Sequence, residues 1–435
     1  MVIPESMATY VRGEQAFRKA ANPPLETRKW MVEGFAGGIS PWWHHIGAFQ
    51  WDHRQFHTAG PLMRWHEANE RYLYHRRPVA NVGLLWSHEN IDFYGRDEAQ
   101  SRVLHPWHGY TTALTRARIP FLPVHADHID RFVGPEAARH AQELGVLILP
   151  DLGAMSEAQC QAVRRFVAGG GSLVASANSG RYNEWGEPRE DFPLGDLLGV
   201  RYAGRRLGVE GQPSSDWEVH SGHTYLRLPH DETARHPIVA GFDETDILAF
   251  GGTLQQVDPL PPAEAVATYI PPFPIYPPEF SWMRAPDSGI PAVVVREHPS
   301  GGRTVYLAAD VDRCYGRRGL PDHGDLLANA VRWAARDTFP LRVDGPGYVD
   351  CHLYRQEGRL ILHLINLSGC NAWPAYLEEH LPVGPLRVSV RLDGDWTPSS
   401  TQRRVDDAPL DLQIADGWAT VELPTLVDHE LIVLE

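Results

Sequence analysis

Trp42, Trp43 and His44, followed a few residues later by Asp52 and Arg54, are the side chains in this sequence best suited to handle a neutral, hydroxyl-rich ligand. An indole face matches the apolar face of a pyranose ring. Asp52 and Arg54 either pair with each other or hydrogen-bond sugar hydroxyls, and the two indoles could equally pack against another part of the chain. His44, His45, His53 and His57 around Asp52 resemble metal ligands only in number, because neither HxH nor HExxH spacing is present. No cofactor is expected. Glu5 ends the short run Val2-Ile3-Pro4 and, taken alone, reads as a solvated residue near a chain end.

Other candidates for chemistry are weaker. Cys160 falls inside a predicted helix, and the loop Pro150-Asp151-Leu152-Gly153 carries no Cys or Ser nucleophile. Asn178-Ser179-Gly180 follows a predicted strand and suits an anion, although such a tripeptide is also ordinary loop chemistry. Cys160, Cys314, Cys351 and Cys370 lack CxxC spacing, so reduced, buried thiols are expected rather than a zinc ribbon or a disulfide framework.

Residues 145 to 200 show most clearly what must position these groups. Val146-Leu147-Ile148-Leu149 reads as a buried strand, and Ser156 with Gln159 three positions on fits a capping box that opens a helix. Ala158, Ala162, Val163, Phe166 and Val167 recur at helical spacing, which places an apolar stripe against a sheet. Gly169-Gly170-Gly171 ends the helix, and Ser172-Leu173-Val174-Ala175-Ser176 returns as a strand. The order strand, helix, strand predicts a parallel right-handed crossover.

Strands at Val82–Trp86 and Phe121–Val124 and helices at Trp107–Arg118 and Pro135–Leu144 extend the alternation, which predicts a flavodoxin-like open parallel sheet. Residues 201 to 290 break it with Pro-rich sequence and are expected to form an inserted set of strands and ordered loop. Strands at Pro291–Val295 and Thr304–Ala308 and a helix at Gly324–Ala335 resume the pattern. Beyond residue 343 the signals are all strand, at Leu360–Asn366, Leu386–Leu392, Trp418–Leu423 and Glu430–Leu434. With turns at Asp393-Gly394-Asp395 and Asp416-Gly417, they predict a small antiparallel sandwich.

The 435 residues are enough for several cores. Forty Lys and Arg against 55 Asp and Glu leave a net charge of −15, which argues against nucleic acid or an anionic membrane as partner. The opening residues include Glu5, Arg12, Glu14, Arg18 and Lys19 with no apolar core, so a cytoplasmic location is expected.

Several motifs, in order, resemble glycoside hydrolase family 42 β-galactosidases and their glycoside-hydrolase-like relatives. They are Leu149-Pro150 with Met155-Ser156-Glu157, the run Phe166 to Val174, and Tyr182-Asn183-Glu184-Trp185-Gly186 leading to Pro193 through Val200. The resemblance covers the family's C-terminal part from Ala80 onward, and in weaker form the N-terminus. It implies an amidotransferase-like α/β trimerisation domain at 78–340 with an insertion at 201–290, a small β domain at 343–435, and at 1–77 the last two units of a (β/α)8 barrel. In that reading Val2 to Glu5 correspond to the seventh barrel strand, Glu33 through Trp43 to the eighth strand and its loop, and residues 54 to 73 to the last barrel helix.

The resemblance makes Glu5 the nucleophile of a retaining glycosidase, with Trp42, Trp43, His44, Asp52 and Arg54 as substrate-binding residues at the barrel mouth. The family's acid/base glutamate on the fourth strand has no counterpart in this sequence. The implied activity is hydrolysis of a β-galactoside-like glycoside, either by a fragment of a longer protein or with a partner supplying the remaining strands. The alternative is a non-catalytic, oligomeric carbohydrate-binding or scaffold protein. A homo-oligomer, in the family a trimer, is expected in either case, because the apolar residues of 1–77 (Trp30, Phe35, Ile39, Trp42, Trp43, Phe49, Trp51) need the α/β domain or another subunit to cover them.

Overall fold

A computed structural model describes residues 6–7, 10–12, 15–17, 20, 23–40, 43–44, 51–133, 143–208, 224–231, 235–274, 277–283, 285–369, 377, 379–394 and 396–435. The contacts divide the chain into two compact units. One comprises Ala80–Ala117 and Phe121–Thr338; the other comprises Met1–Val79, Arg118–Pro120 and Phe339–Glu435.

The first of these units is built on a nine-stranded sheet. Five strands are parallel, in the spatial order Phe121–His125, Val82–Trp86, Val146–Leu149, Ser172–Ser176, Arg303–Leu307. In chain order this is 2-1-3-4-5, the flavodoxin-like arrangement. All residues of Val146–Leu149 and Ser172–Ser176 are buried, as continuous apolar strands covered on both faces require. The helix between these two strands, Glu157–Ala168, opens with both halves of the capping box: Gln159 N–H donates to Ser156 Oγ at 3.2 Å, and Ser156 N–H donates to Gln159 Oε1 at 2.9 Å. Cys160 lies inside this helix, buried and unbridged, as are Cys314 and Cys351 in their own elements.

The region expected as an insertion contributes to the same sheet. Glu264–Ile270, Tyr225–Arg227 and Ile247–Ala249 extend it with antiparallel strands, and Pro291–Glu297, expected to resume the parallel alternation, instead joins them to Arg303–Leu307 antiparallel to both neighbours. Val200–Gly208 and Thr253–Pro259 form a separate antiparallel pair. The predicted helix at Trp107–Arg118 runs His105–Arg116. The one predicted at Pro135–Leu144 lies largely outside the described residues.

The other unit contains a two-sheet sandwich. Leu341–Asp344, Leu386–Arg391, Trp418–Leu423 and Gln413–Ala415 form one sheet; Thr401–Arg403, His429–Leu434, Arg359–Asn366, Val349–Gln356 and Arg77–Pro78 form the other. The turn at Asp416-Gly417 has positive φ at both residues, 50° and 77°, as a two-residue hairpin of matching twist requires.

Strand alternation sorts the residues of Arg359–Asn366 into two cores. Leu360, Leu362 and Leu364 face the sandwich interior, while Ile361 and Ile365 face the N-terminal helices. Met31, Val32 and Phe35 of helix Pro24–Ala36 and Leu62 of helix Arg54–Ala68 cover Ile365. Tyr72 and Leu73 cover Ile361, Leu431 and Val433. Each such side chain contributes about 1.5–3 kcal/mol when fully buried.

Two expectations are corrected here. Glu33 through Ala36 belong to a helix, not to an eighth strand. Pro24 at its first position and Pro23 before it start that helix without cost, because the missing N–H would have no intrahelical acceptor. Of the N-terminal apolar residues, Phe35 packs on the outer face of the sandwich, while Trp30 and Trp51 are 60% and 71% exposed.

Candidate functional site

Glu5 and Trp42 lie outside the described residues, as do the side chains of Trp43 and His44. The backbone of Trp43–His44 forms a two-residue strand parallel to Ser6–Met7, pairing Ser6 with Trp43 and Met7 with His44. Helix Pro24–Ala36 lies between these strands in the chain, and helix Arg54–Ala68 follows the second. Asp52 and Arg54 come together as a fork: Arg54 Nε donates to Asp52 Oδ1 at 2.9 Å and Nη2 to Oδ2 at 2.5 Å. Paired with Asp52, the exposed Arg54 guanidinium is held above its usual range.

A second group of polar side chains lies at the carboxyl ends of the parallel strands. Asp151 follows Val146–Leu149 in a left-handed conformation, φ 42°. Its carboxylate is fully lined by donors: Tyr94 Oη donates to Oδ2 at 3.0 Å, and Asn178 donates to Oδ1 through its backbone N at 2.8 Å and its Nδ2 at 3.1 Å. Gly153 makes room for this arrangement, because a Cβ there would lie 2.7 Å from the Tyr94 ring. Asp151 N–H donates to Ser176 Oγ at 2.8 Å, and that hydroxyl donates in turn to Asp312. Burial pushes Asp151 up, with the Asn178 donors opposing, while burial and the neighbouring Asp151 push Asp312 up to about 7. Burial, then the Asp151 charge, push Tyr94 well above its usual range. These groups are buried and hydrogen-bonded to one another rather than arranged as an exposed acid/base pair.

Helix Val311–Arg318 carries the outer part of the network. Gly109 of His105–Arg116 lets it approach closely, since a Cβ on Gly109 would lie 2.0 Å from the Asp312 carbonyl oxygen. Asp310, ion-paired with Arg313, accepts from Thr253 through N at 2.8 Å and Oγ1 at 2.6 Å. Among the described residues, no three His, Cys, Asp or Glu side chains are arranged to hold a metal ion.

Beside this network is a small polar cavity of about 110 Å3, lined by Tyr94, Arg102, Asn178, Arg181, Tyr182, Tyr202, Arg206 and Gln255. The sequence signalled one of these positions, Asn178, as the start of a candidate anion loop. Arg181 and Tyr182 follow that loop directly, while Tyr94, Arg102, Tyr202, Arg206 and Gln255 share no local motif with it and are brought together only by the folded sheet.

No protein-family model matches the chain, and neither does any curated protein. Solved structures do match. An α-L-fucosidase isoenzyme 2 from Paenibacillus thiaminolyticus superposes with a TM-score of 0.70 at 19% identity, over 96% of this chain and 58% of that one. A β-galactosidase from Bacillus circulans sp. alkalophilus gives 0.64 at 14% identity, over 100% and 55%. Gan42B, a GH42 β-galactosidase from G. stearothermophilus, gives 0.64 at 13% identity, over 99% and 53%. The fold is one found in glycoside hydrolases. The chain spans a little over half the length of each of these three proteins. No closed barrel is present among the described residues, and no helix there is long and apolar enough to cross a membrane.

Proposed function

We infer that this protein is a glycoside hydrolase of the family 42 kind, acting on a β-galactoside-like carbohydrate by a retaining mechanism. In this reading Ser6–Met7 and Trp43–His44 are the ends of the last two barrel strands, and Glu5, immediately before the first, is the nucleophile. Its carboxylate attacks the anomeric carbon while a second carboxylic acid, about 5 Å away on barrel strands outside this chain, protonates the leaving oxygen; water then cleaves the glycosyl ester. Trp42 and Trp43 would stack on the sugar, with His44, Asp52 and Arg54 at the rim.

The observation that carries the reading is the shared fold, which covers 96% to 100% of the chain in three carbohydrate-cleaving enzymes. The parallel pairing of two short strands across a helix supports it, because adjacent units of a (β/α)8 barrel are joined in that way. Exposed Trp30 supports self-association, with the family's trimer as the expected form.

Turnover of nitrophenyl β-galactoside and α-L-fucoside by the native protein, alongside a Glu5→Gln variant, tests the reading. Hydrolysis that falls at least about a thousandfold in the variant is the expected result, as loss of a nucleophile requires. No turnover of any glycoside, or full activity in Glu5→Gln, would count against it. A monomer in light scattering would remove the oligomeric part of the proposal.

A further inference from the structure

The nine-stranded unit holds a second, larger cavity, of about 420 Å3, where the last turn of helix Pro321–Ala335 meets the short 3₁₀ helix Pro237–Val239 and the start of strand Arg303–Leu307. That volume falls within the range of small-molecule sites.

Arg303, Arg332 and Arg336 border the cavity, together with Asn329, Trp333 and Asp337. Arg303 is already paired: its Nε donates to Glu297 Oε1 at 2.8 Å and its Nη1 to the Trp333 carbonyl at 3.0 Å. Arg332 and Arg336 have neutral partners instead. Arg332 donates to Asn329 Oδ1 at 3.3 Å and to the Ala117 carbonyl at 3.5 Å, and Arg336 donates to the Gly301 carbonyl at 2.6 Å. With Glu297 offsetting Arg303 and Asp337 offsetting a second charge, the border keeps one net positive charge. The C-terminus of a helix attracts cations, which accounts for basic residues at 332 and 336 but not for the cavity that they line.

The walls are fixed and of two kinds. The Arg303 guanidinium lies over the Trp333 ring at 4.7 Å, and the His236 ring packs against the same indole at 4.8 Å. Asn329 Nδ2 donates to the Ala240 carbonyl at 2.9 Å, which ties the end of the 3₁₀ helix to helix Pro321–Ala335. Trp333 and Pro237 supply apolar surface, while Asn329, Asp337 and the two guanidiniums supply donors and acceptors. An indole among amide, carboxylate and guanidinium groups suits a sugar, whose C–H face packs on carbon while its hydroxyls meet the polar groups.

We propose that this cavity binds a monosaccharide carrying one anionic group, a hexuronate or a hexose phosphate. The ring lies against Trp333 and Pro237, and Asn329 and Asp337 meet its hydroxyls. The carboxylate or phosphate takes the guanidinium N–H groups of Arg332 and Arg336, whose planar forks match such oxygens. Every residue of the lining belongs to the nine-stranded unit, and the proposal does not depend on the glycosidase reading.

Isothermal titration of the full chain with D-galacturonate, D-glucuronate and glucose 6-phosphate, against D-galactose, sodium acetate and sodium phosphate, tests the proposal without any hydrolysis assay. The expected result is saturable binding of at least one acidic sugar, at least about tenfold tighter than galactose, acetate or phosphate. Binding of the uronates alone, or of glucose 6-phosphate alone, identifies the anionic group. Arg336→Gln and Arg332→Gln should each weaken binding at least about tenfold. Arg336 is exposed and is the safer variant for folding, which an unchanged melting temperature without ligand confirms. No saturable binding of any acidic sugar, galactose, acetate or phosphate bound as tightly, or unchanged affinity in either folded variant would overturn the proposal.

Discussion

Two buried aspartates, one in each unit, meet the same desolvation and resolve it in opposite ways. Burial alone would raise the Asp428 carboxyl, but His429 at 3.1 Å, Lys29 at 2.8 Å and Arg28 at 2.5 Å hold it well below the usual carboxylate range. Asp312 has hydroxyl and backbone partners instead, with Asp151 as a neighbour, and stays near 7. The difference shows what each residue does: Asp428 ties the N-terminal helix to the sandwich through charge, while Asp312 joins strand ends and loops through hydroxyl and backbone hydrogen bonds.

The comparison breaks first at Asp428. Asp428→Asn leaves Lys29 and Arg28 without their counter-charge and should cost about 3–5 kcal/mol, read by urea unfolding of the unit that contains it. A loss below 1 kcal/mol would mean that solvent already screens the group.

The two sites should also respond to pH with opposite signs. Asp428 is depressed in the folded state, so its contribution is present above about pH 4 and lost as acid protonates it below that. Asp312 is raised, so the folded chain keeps a proton that the unfolded chain releases near pH 4. Its contribution is full below about pH 4 and falls as pH rises toward 7, with a slope approaching 1.4 kcal/mol per unit. Hydrogen exchange resolved by unit, from pH 3 to pH 8, should show the sandwich weakening at the acid end and the nine-stranded unit weakening toward neutrality.

Asp312→Asn sharpens the contrast. An amide can still accept the Arg313 N–H and can donate to Ser176 Oγ, so the variant should unfold within about 1 kcal/mol of the parent at pH 5 and be more stable at pH 8. A large loss at both pH values would show that the ionised carboxylate is required. The smallest effect is expected at the surface: Arg54→Ala should change stability by no more than about 0.5 kcal/mol despite the fork to Asp52, so any loss of glycoside turnover it causes would be functional.

The sequence revealed the parallel half of the sheet because each strand there is a short apolar run with local punctuation, such as the capping box at Ser156 and Gln159. Trp418–Leu423 was legible to the residue, since period-2 alternation and the Asp416-Gly417 turn agree. The antiparallel extension was harder to read. Tyr225–Arg227 and Ile247–Ala249 are three residues each, too short to carry a period, and owe their existence to pairing with Glu264–Ile270 and with each other. Helix Pro24–Ala36 was obscured because its last turn, Glu33 to Ala36, leads into Gly37-Gly38-Ile39 and looks like a strand entry. The Asp151 network and the cavity were beyond local reading for a different reason: Tyr94, Asp151, Ser176 and Asp312 acquire their roles only from distant partners. Asp52 and Arg54 were legible as a pair because they are two residues apart.

The most direct test of the glycosidase reading is to trap its covalent intermediate. Incubating the native protein with a 2-deoxy-2-fluoro-β-galactosyl fluoride and mapping the adduct by peptide mass spectrometry should place one fluorogalactosyl ester on Glu5, because a retaining mechanism passes through that bond. An adduct on another carboxylate, or no adduct under conditions that label a β-galactosidase control, would contradict it.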